Sequence, residues 1–337
     1  MKAAVIHAPE KASFTSMPEP VIGPHDVLIR VRAAGICGTD LHIFKGEYEA
    51  TYPLIPGHEF SGEVIAVGEQ VINVQTGDRV TADPNVPCNR CDYCQRNQPN
   101  QCRDLRAIGV TQHGAFAEYV IAPEANVFHI DQIPYDAAAL IEPLACVVWG
   151  LKQVEIQPGD DVVIFGAGPM GCLLVQVVKH AGAARVTVVD ISSARLELAQ
   201  KLGADELVTA GDAAASHLRS IAKDGFDVSV DATGIPSVIE SLFDTLRPRG
   251  KAWMFGVAPV GTQIHIPAYE VFRKDLKIIG SFAVNRTFPQ SIALIRSGAI
   301  QVTPLISHRL PLGSFSEALD IAQRDPARMK VQFAFND

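Results

Sequence analysis

The chain lacks any long apolar run. The longest, "MGCLLVQVV" (170–178), is interrupted by Gln176 and falls well short of the roughly 20 residues that cross a bilayer, so no membrane association is expected. "MKAAVIHAPE" offers only Ala3 to Ile6 before His7, too little apolar chain for the core of an export signal. A cytoplasmic protein is expected. Basic charge is scarce as well: 29 Lys and Arg face 37 Asp and Glu, giving a formal net charge of −8. That balance excludes the basic face a nucleic-acid partner demands. Internal repeats and low-complexity segments are absent too. What remains is size and apolar content, 337 residues at 47% hydrophobic, sufficient for two domains with separate cores.

Two textures divide the chain. Residues 1–150 read as short strands broken by Gly and Pro turns, among them "DVLIRVRAAGIC", "SGEVIAVG" and "AFAEYVIAP". Over 151–286, short apolar runs alternate with helical patterns, as in a parallel sheet built from βαβ units. The expected strands are "DVVIF", "RVTVVD", "ELVTA", "FDVSVD", "KAWMFG" and "LKIIGS", a set that suits a doubly wound dinucleotide fold. After 287 come two helical stretches and "KVQFAF", whose alternation reads as a strand returning to the first domain. The expected class is α/β with a β-rich domain made of 1–150 and 287–337.

"DVVIFGAGPMGCLLVQVV" sets Gly166, Gly168 and Gly171 between an apolar strand and an apolar helix. That context is the one the G-x-G-x-x-G motif needs: a tight turn, close approach of backbone to a pyrophosphate, and close helix packing. The next strand ends in Asp190, placed to accept hydrogen bonds from an adenosine ribose and to repel a 2′-phosphate. NAD is therefore favoured over NADP. Arg195 lies five residues on; it either serves a phosphate or is a plain helix-surface residue.

Four of the seven cysteines, Cys88, Cys91, Cys94 and Cys102, fall in "PCNRCDYCQRNQPNQC". In a reducing compartment such a cluster points to metal rather than disulfides, and four thiolates suit a closed structural zinc site. An iron–sulfur run would bring the fourth cysteine sooner and follow it with Pro. Because a closed site has no open position, metal chemistry must come from elsewhere. "GICGTDLH" and "IPGHEFSG" supply Cys37, His58 and Glu59. Taken singly, Cys37 reads as a core thiol and His58 as a loop histidine.

Together these segments, with "GDRV", "GAFAEYV", "IEPLACV", "GAGPMG" and "VVD" in order, resemble the zinc-containing medium-chain alcohol dehydrogenases, in particular their polyol and threonine dehydrogenase branch. The resemblance covers essentially the whole chain. It implies a GroES-like catalytic domain, a Rossmann domain, and a catalytic zinc on Cys37 and His58 with acids from Glu59 and Glu142, besides the structural zinc. Glu142 stands where the family's simple alcohol dehydrogenases carry cysteine, which points to polyols. Adjacent residues of an extended strand face opposite ways, so His58 and Glu59 reach one metal only if the Pro56-Gly57 turn redirects them. Glu59 and Glu142 are expected to exchange at the zinc.

The implied reaction passes a hydride from a secondary alcohol of a sugar alcohol to NAD, giving a ketone, with zinc lowering the alcohol's pKa. By the same resemblance Thr39 and His42 form the proton relay, and Glu59 serves the catalytic centre. Met170, Phe255, Gly256, Val257, Ser281, Phe282 and Ala283 lie at strand ends or in the glycine loop and contact the cofactor. L-Threonine or a polyol phosphate is the alternative substrate. A silent NAD- and zinc-binding sensor is the alternative class. A dimer or tetramer is expected, with an edge strand near Ile278 for pairing.

Overall fold

Strand Asp26–Gly35 is the spine of the first sheet. Its alternating sequence buries Val27, Ile29 and Val31 on one face, the two-residue period of a pleated strand. It pairs antiparallel with Glu59–Val67 along its length, with Tyr119–Pro123 over its first half, and with Lys330–Ala334 at its end. The seven-stranded sheet runs Ile306–Leu310, Lys330–Ala334, Asp26–Gly35, Glu59–Val67, Arg79–Ala82, Val127–His129, with Tyr119–Pro123 also beside Asp26–Gly35. "KVQFAF" thus forms a strand against the N-terminal segment, and only its register sets which of its side chains meet the site. Phe116, Phe315 and Phe333 cluster beneath, Phe116 edge-on to Phe333 at 4.9 Å between centroids.

The computed structural model describes residues 1–48 and 50–335. By contact it divides into two units, Met1–Ala145 with Ala283–Arg296 and Val302–Asp337, and Cys146–Phe282 with Ser297–Gln301. The first junction lies five residues before the change of texture in the sequence, within helix Ile141–Val154. The window Tyr135–Val154 is long and apolar enough by composition to cross a membrane, yet 72% of it is buried inside the protein, as in a core helix.

In the second unit six parallel strands lie in the order Glu206–Thr209, Arg185–Asp190, Asp161–Phe165, Phe226–Asp231, Leu246–Met254, Lys277–Gly280. The chain starts in the middle, builds to one edge, then crosses to build the other, which is the doubly wound dinucleotide arrangement. Val162, Val163 and Ile164 are all fully buried because helices cover both faces. The fifth strand begins at Leu246 rather than Lys251. Leu246 pairs with Phe226 before an irregularity in register, so "RPRG" is carried into the strand ahead of the expected "KAWMFG".

Candidate active site

Cys37 follows the end of the spine strand and caps helix Gly38–Lys45. His58 directly precedes strand Glu59–Val67, after a Gly57 with φ of +95°. Because His58 lies outside the strand, alternation does not separate it from Glu59. One candidate ligand atom from each of Cys37, His58 and Glu59 lies within 4.8 Å of the other two. His58 and Glu59 are buried and Cys37 is half-buried. Glu142, at the start of helix Ile141–Val154, is buried as well; it stands outside that compact group, although its charge bears on Lys330.

Two charged residues that sequence reasoning missed complete the centre. Asp40, 1% exposed, accepts the Cys37 backbone N–H through Oδ2 at 2.8 Å and the Gly57 N–H through Oδ1 at 3.2 Å. It thereby ties the two candidate ligand segments together. An acid three residues after a helix cap is a capping-box signal, and "CGTD" carries it. Lys330 places Nζ 2.7 Å from both Glu59 oxygens and 3.2 Å from the Ile36 carbonyl. Burial would lower His58, but the Asp40 carboxylate and the Cys37 thiol outweigh it and raise the imidazole well above its ordinary value. Burial would likewise lower Lys330, yet Glu59 foremost, then Cys37 and Glu142, hold it above its usual value.

Thr39 Oγ1 lies 3.8 Å from Cys37 Sγ. His42, three residues along the same helix, has Nδ1 2.8 Å from Glu47 Oε2, so a carboxylate absent from the sequence reading orients that ring. His113 Nδ1 accepts the Ile55 N–H at 3.2 Å, and burial lowers its pKa.

The four-cysteine lobe brings Cys88, Cys91, Cys94 and Cys102 within 4.8 Å of one another. Cys91 Sγ lies 3.5 Å from Cys94 Sγ and 3.9 Å from Cys102 Sγ. A tetrahedron with Zn–S bonds of about 2.3 Å has S···S edges of about 3.8 Å, so the spacing fits zinc. Backbone N–H groups of Cys88 and Cys91 point at Cys102 and Cys88 sulfurs. Such donors lower Cys88 and bring Cys91 down to about 6, whereas burial drives Cys94 up to about 12.

In the second unit Gly166 takes φ of +105°, and a Cβ on Gly171 would collide with the Gly166 carbonyl. Gly168 caps helix Pro169–His180 and faces open space, leaving the helix N-terminus accessible to an anion. Asp190 Oδ2 accepts the Ala167 N–H at 2.7 Å and Oδ1 the Ser192 N–H at 2.8 Å. The acid therefore pins the glycine loop, and its remaining lone pairs are available to hydroxyl donors. Arg195 is half-buried in the first turn of helix Ser193–Lys201, which Ser192 caps. Met170 is half-buried beside Gly168. Phe255 to Val257 follow strand Leu246–Met254, and Ser281 to Ala283 follow strand Lys277–Gly280. Trp253 Nε1 donates to Ser281 Oγ at 3.2 Å and its ring meets Phe255 edge-on. Val257 and Phe282 are exposed.

A thiol, an imidazole and a carboxylate within 4.8 Å of one another, in a chain that also carries a dinucleotide loop, define a zinc-dependent, nicotinamide-linked oxidoreductase. Comparison with known proteins agrees. Residues 23–132 match the alcohol dehydrogenase GroES-like domain and 169–297 match the zinc-binding dehydrogenase domain. The chain is 38% identical to D-altritol 5-dehydrogenase of Agrobacterium fabrum over 96% of each chain. It is 36% identical to D-arabinitol dehydrogenase 1 of Uromyces fabae, covering 98% of this chain and 97% of that one. L-Threonine 3-dehydrogenase of Shewanella frigidimarina is 34% identical over 95% of this chain and 96% of its own. Among solved structures, a zinc-binding dehydrogenase from Sinorhizobium meliloti bound to NADP superposes with a TM-score of 0.93 at 33% identity, over 99% of each chain. An alcohol dehydrogenase from Escherichia coli complexed with NADH gives 0.94 at 30%, also over 99% of each. Galactitol-1-phosphate dehydrogenase from Escherichia coli gives 0.92 at 29%, with the same coverage. The chain belongs to the zinc-binding alcohol dehydrogenase family, in its polyol and threonine dehydrogenase branch.

Proposed function

We propose that the protein oxidises a secondary alcohol of a sugar alcohol to the ketone with NAD, using one catalytic and one structural zinc. The observation that carries this reading is the compact group of Cys37, His58 and Glu59, whose mixed sulfur, nitrogen and oxygen donors suit a zinc that retains an open position. When bound, zinc supplies a Lewis acid that lowers a hydroxyl's pKa, and the nicotinamide supplies the hydride acceptor. Cys37 and His58 provide the thiolate and the imidazole, and the further ligand is drawn from Glu59 and Glu142. The four-cysteine lobe holds the second zinc.

Thr39 and His42 carry the proton released by the alcohol, with Glu47 fixing the tautomer of His42 by its contact at Nδ1. A His42→Ala enzyme whose pH–rate profile matches wild type removes His42 from that role. Gly166, Gly168 and Gly171 receive the pyrophosphate, Asp190 the adenosine ribose, and Met170, Phe255 to Val257 and Ser281 to Ala283 the remainder of the cofactor. Support for NAD comes from the carboxylate of Asp190, which opposes a 2′-phosphate.

Polyols are favoured because the two relatives of highest identity given above act, by name, on altritol and arabinitol. Threonine is the second reading, supported by relatives at 34% identity. NADH fluorescence across a panel of polyols, polyol phosphates, sugar acids and L-threonine decides between them. A response to threonine alone overturns the polyol reading, and silence across the panel with zinc and NAD bound favours the sensor. We assign a cytoplasmic location and self-association through edge strand Lys277–Gly280, where Ile278 is exposed. Ile278→Lys should lower the sedimenting mass, and an unchanged mass refutes that interface.

A further inference from the structure

Two buried acids end the strands that flank Asp161–Phe165, Asp190 on one side and Asp231 on the other. Ligands of open parallel sheets bind outside these carboxyl ends. Asp190 holds the glycine loop through the Ala167 N–H; Asp231 holds a different set of backbone groups. Its Oδ1 accepts the Thr233 N–H at 2.9 Å and the Thr233 hydroxyl at 2.6 Å, and its Oδ2 accepts the Gly234 N–H at 3.0 Å. The Asp231 main-chain carbonyl accepts the N–H groups of Phe255 and Gly256, at 3.1 and 2.8 Å. One residue thus holds the turn after its own strand with its side chain, and the turn after strand Leu246–Met254 with its main chain.

The two turns also interlock. Gly234 takes φ of +71°, and a Cβ there would collide with the Val257 carbonyl. A Cβ on Gly256 would collide in turn with the Gly234 nitrogen and with Asp231 Oδ2. Backbone lies directly on backbone, so a shift of Thr233 and Gly234 must move Phe255 to Val257 with it. Asp231 is fully buried, and among the described residues the donors to its carboxylate are neutral N–H and O–H groups. A buried carboxylate is tolerated only where such donors satisfy it, and bonds to a charged acceptor are about twice as strong as neutral ones. The Thr233 hydroxyl is fully used: its hydrogen goes to Asp231, and its oxygen accepts the Ile235 N–H at 3.0 Å. It therefore acts on the turn and has no hydrogen left for a ligand.

We propose that Asp231 is a positioning residue that sets the Phe255 to Val257 backbone for the nicotinamide half of the cofactor, while Asp190 sets the glycine loop for the adenosine half. The inference rests on the cofactor placement proposed above. Titration calorimetry of the zinc-loaded protein with NADH, and separately with AMP, reads the two halves apart. Asp231→Asn keeps an oxygen for Thr233 but sets an amide N–H against the Gly234 N–H. NADH should bind about tenfold more weakly, as expected for the loss of one charge-assisted bond, while AMP binds as in wild type. Thr233→Val keeps the carboxylate and removes the hydroxyl; it should weaken NADH in the same direction and spare AMP, and Thr233→Ser should restore wild-type binding. This pair serves if Asp231→Asn does not fold.

An Asp231→Asn protein that binds NADH as wild type does, and is altered only in its thermal midpoint, overturns the proposal. So does equal weakening of NADH and AMP, which would make Asp231 a support of the whole unit rather than of one half of the site. Thr233→Val with wild-type NADH affinity counts against it in the same way. Wild-type protein that binds neither NADH nor AMP overturns the cofactor placement itself, and the proposal with it.

Discussion

Asp40 Oδ1 lies 3.5 Å from His58 Nδ1, and both side chains are buried. On the metal site proposed above, in which His58 is a ligand, Asp40 is the carboxylate beside that imidazole, and removing such a partner typically costs 10- to 100-fold in metal affinity. Asp40→Asn retains an acceptor for the Cys37 and Gly57 N–H groups while losing the charge. We expect metal at the Cys37 site to weaken by about tenfold or more, with the four-cysteine lobe unaffected. Metal content after graded dialysis against a chelator measures both, and wild-type retention at both sites refutes the role.

Cys37 and Cys94 should fail in opposite ways. Cys94 is buried in the four-cysteine lobe, and structural zinc contributes folding free energy directly. Cys94→Ser is expected to lower the thermal midpoint and reduce the zinc bound, with turnover falling only as folded protein is lost. Cys37→Ser should stay folded at nearly the wild-type midpoint and lose turnover. Thermal melts beside zinc analysis and initial rates separate the two, and the reverse pattern would exchange the roles of the sites.

The contrast between these cysteines shows what the sequence could convey. Four thiols in one window announce a metal lobe, because their ligand spacing is local. The parallel strands were legible for the same reason: runs such as "DVVIF" are apolar on both faces and lie between helical patterns. The fifth strand was only partly legible: its "KAWM" was, whereas its first five residues, with a Pro and a Gly among them, lack the apolar run that marks the others. Lys330 was invisible because its partner is 271 residues away, and only the register of two strands on the spine makes them meet. Asp40 was hidden by exposure, which a helix-capping acid normally has and this one does not.

Asp190 has one observed task and one proposed task that substitutions can separate. It accepts the Ala167 N–H at 2.7 Å, a bond worth about 1 kcal/mol, and in the cofactor reading proposed above its charge opposes a 2′-phosphate. Asp190→Asn keeps an acceptor for Ala167 but loses the charge. Its preference for NAD over NADP should fall about tenfold with little loss of stability. Asp190→Ala should lose preference and stability together, and adding Arg195→Leu should weaken NADP again if Arg195 meets the phosphate. Kinetics with both cofactors test this, and an unchanged preference in Asp190→Asn would deny Asp190 the discriminating role.

Asp83 gives a prediction in pH. Its Oδ1 accepts the Asn85 N–H at 2.9 Å and the Asn85 side-chain amide at 3.1 Å. Burial still dominates those bonds and pushes the carboxyl from 3.8 up to about 6. Between those values the folded protein holds a proton that the unfolded chain has released. Stability contributed by this group is therefore greatest below about pH 4, falls as pH rises through 6, and is level above. The difference of about two pH units is worth at most about 3 kcal/mol. Asp83→Asn keeps the Oδ1 acceptor and never bears the charge, so its thermal midpoint should exceed wild type by a few degrees at pH 7 to 8 and converge with it near pH 4. Melting curves across that range check the sign, and an advantage that stays constant with pH would show that the Asp83 carboxyl titrates at its ordinary value.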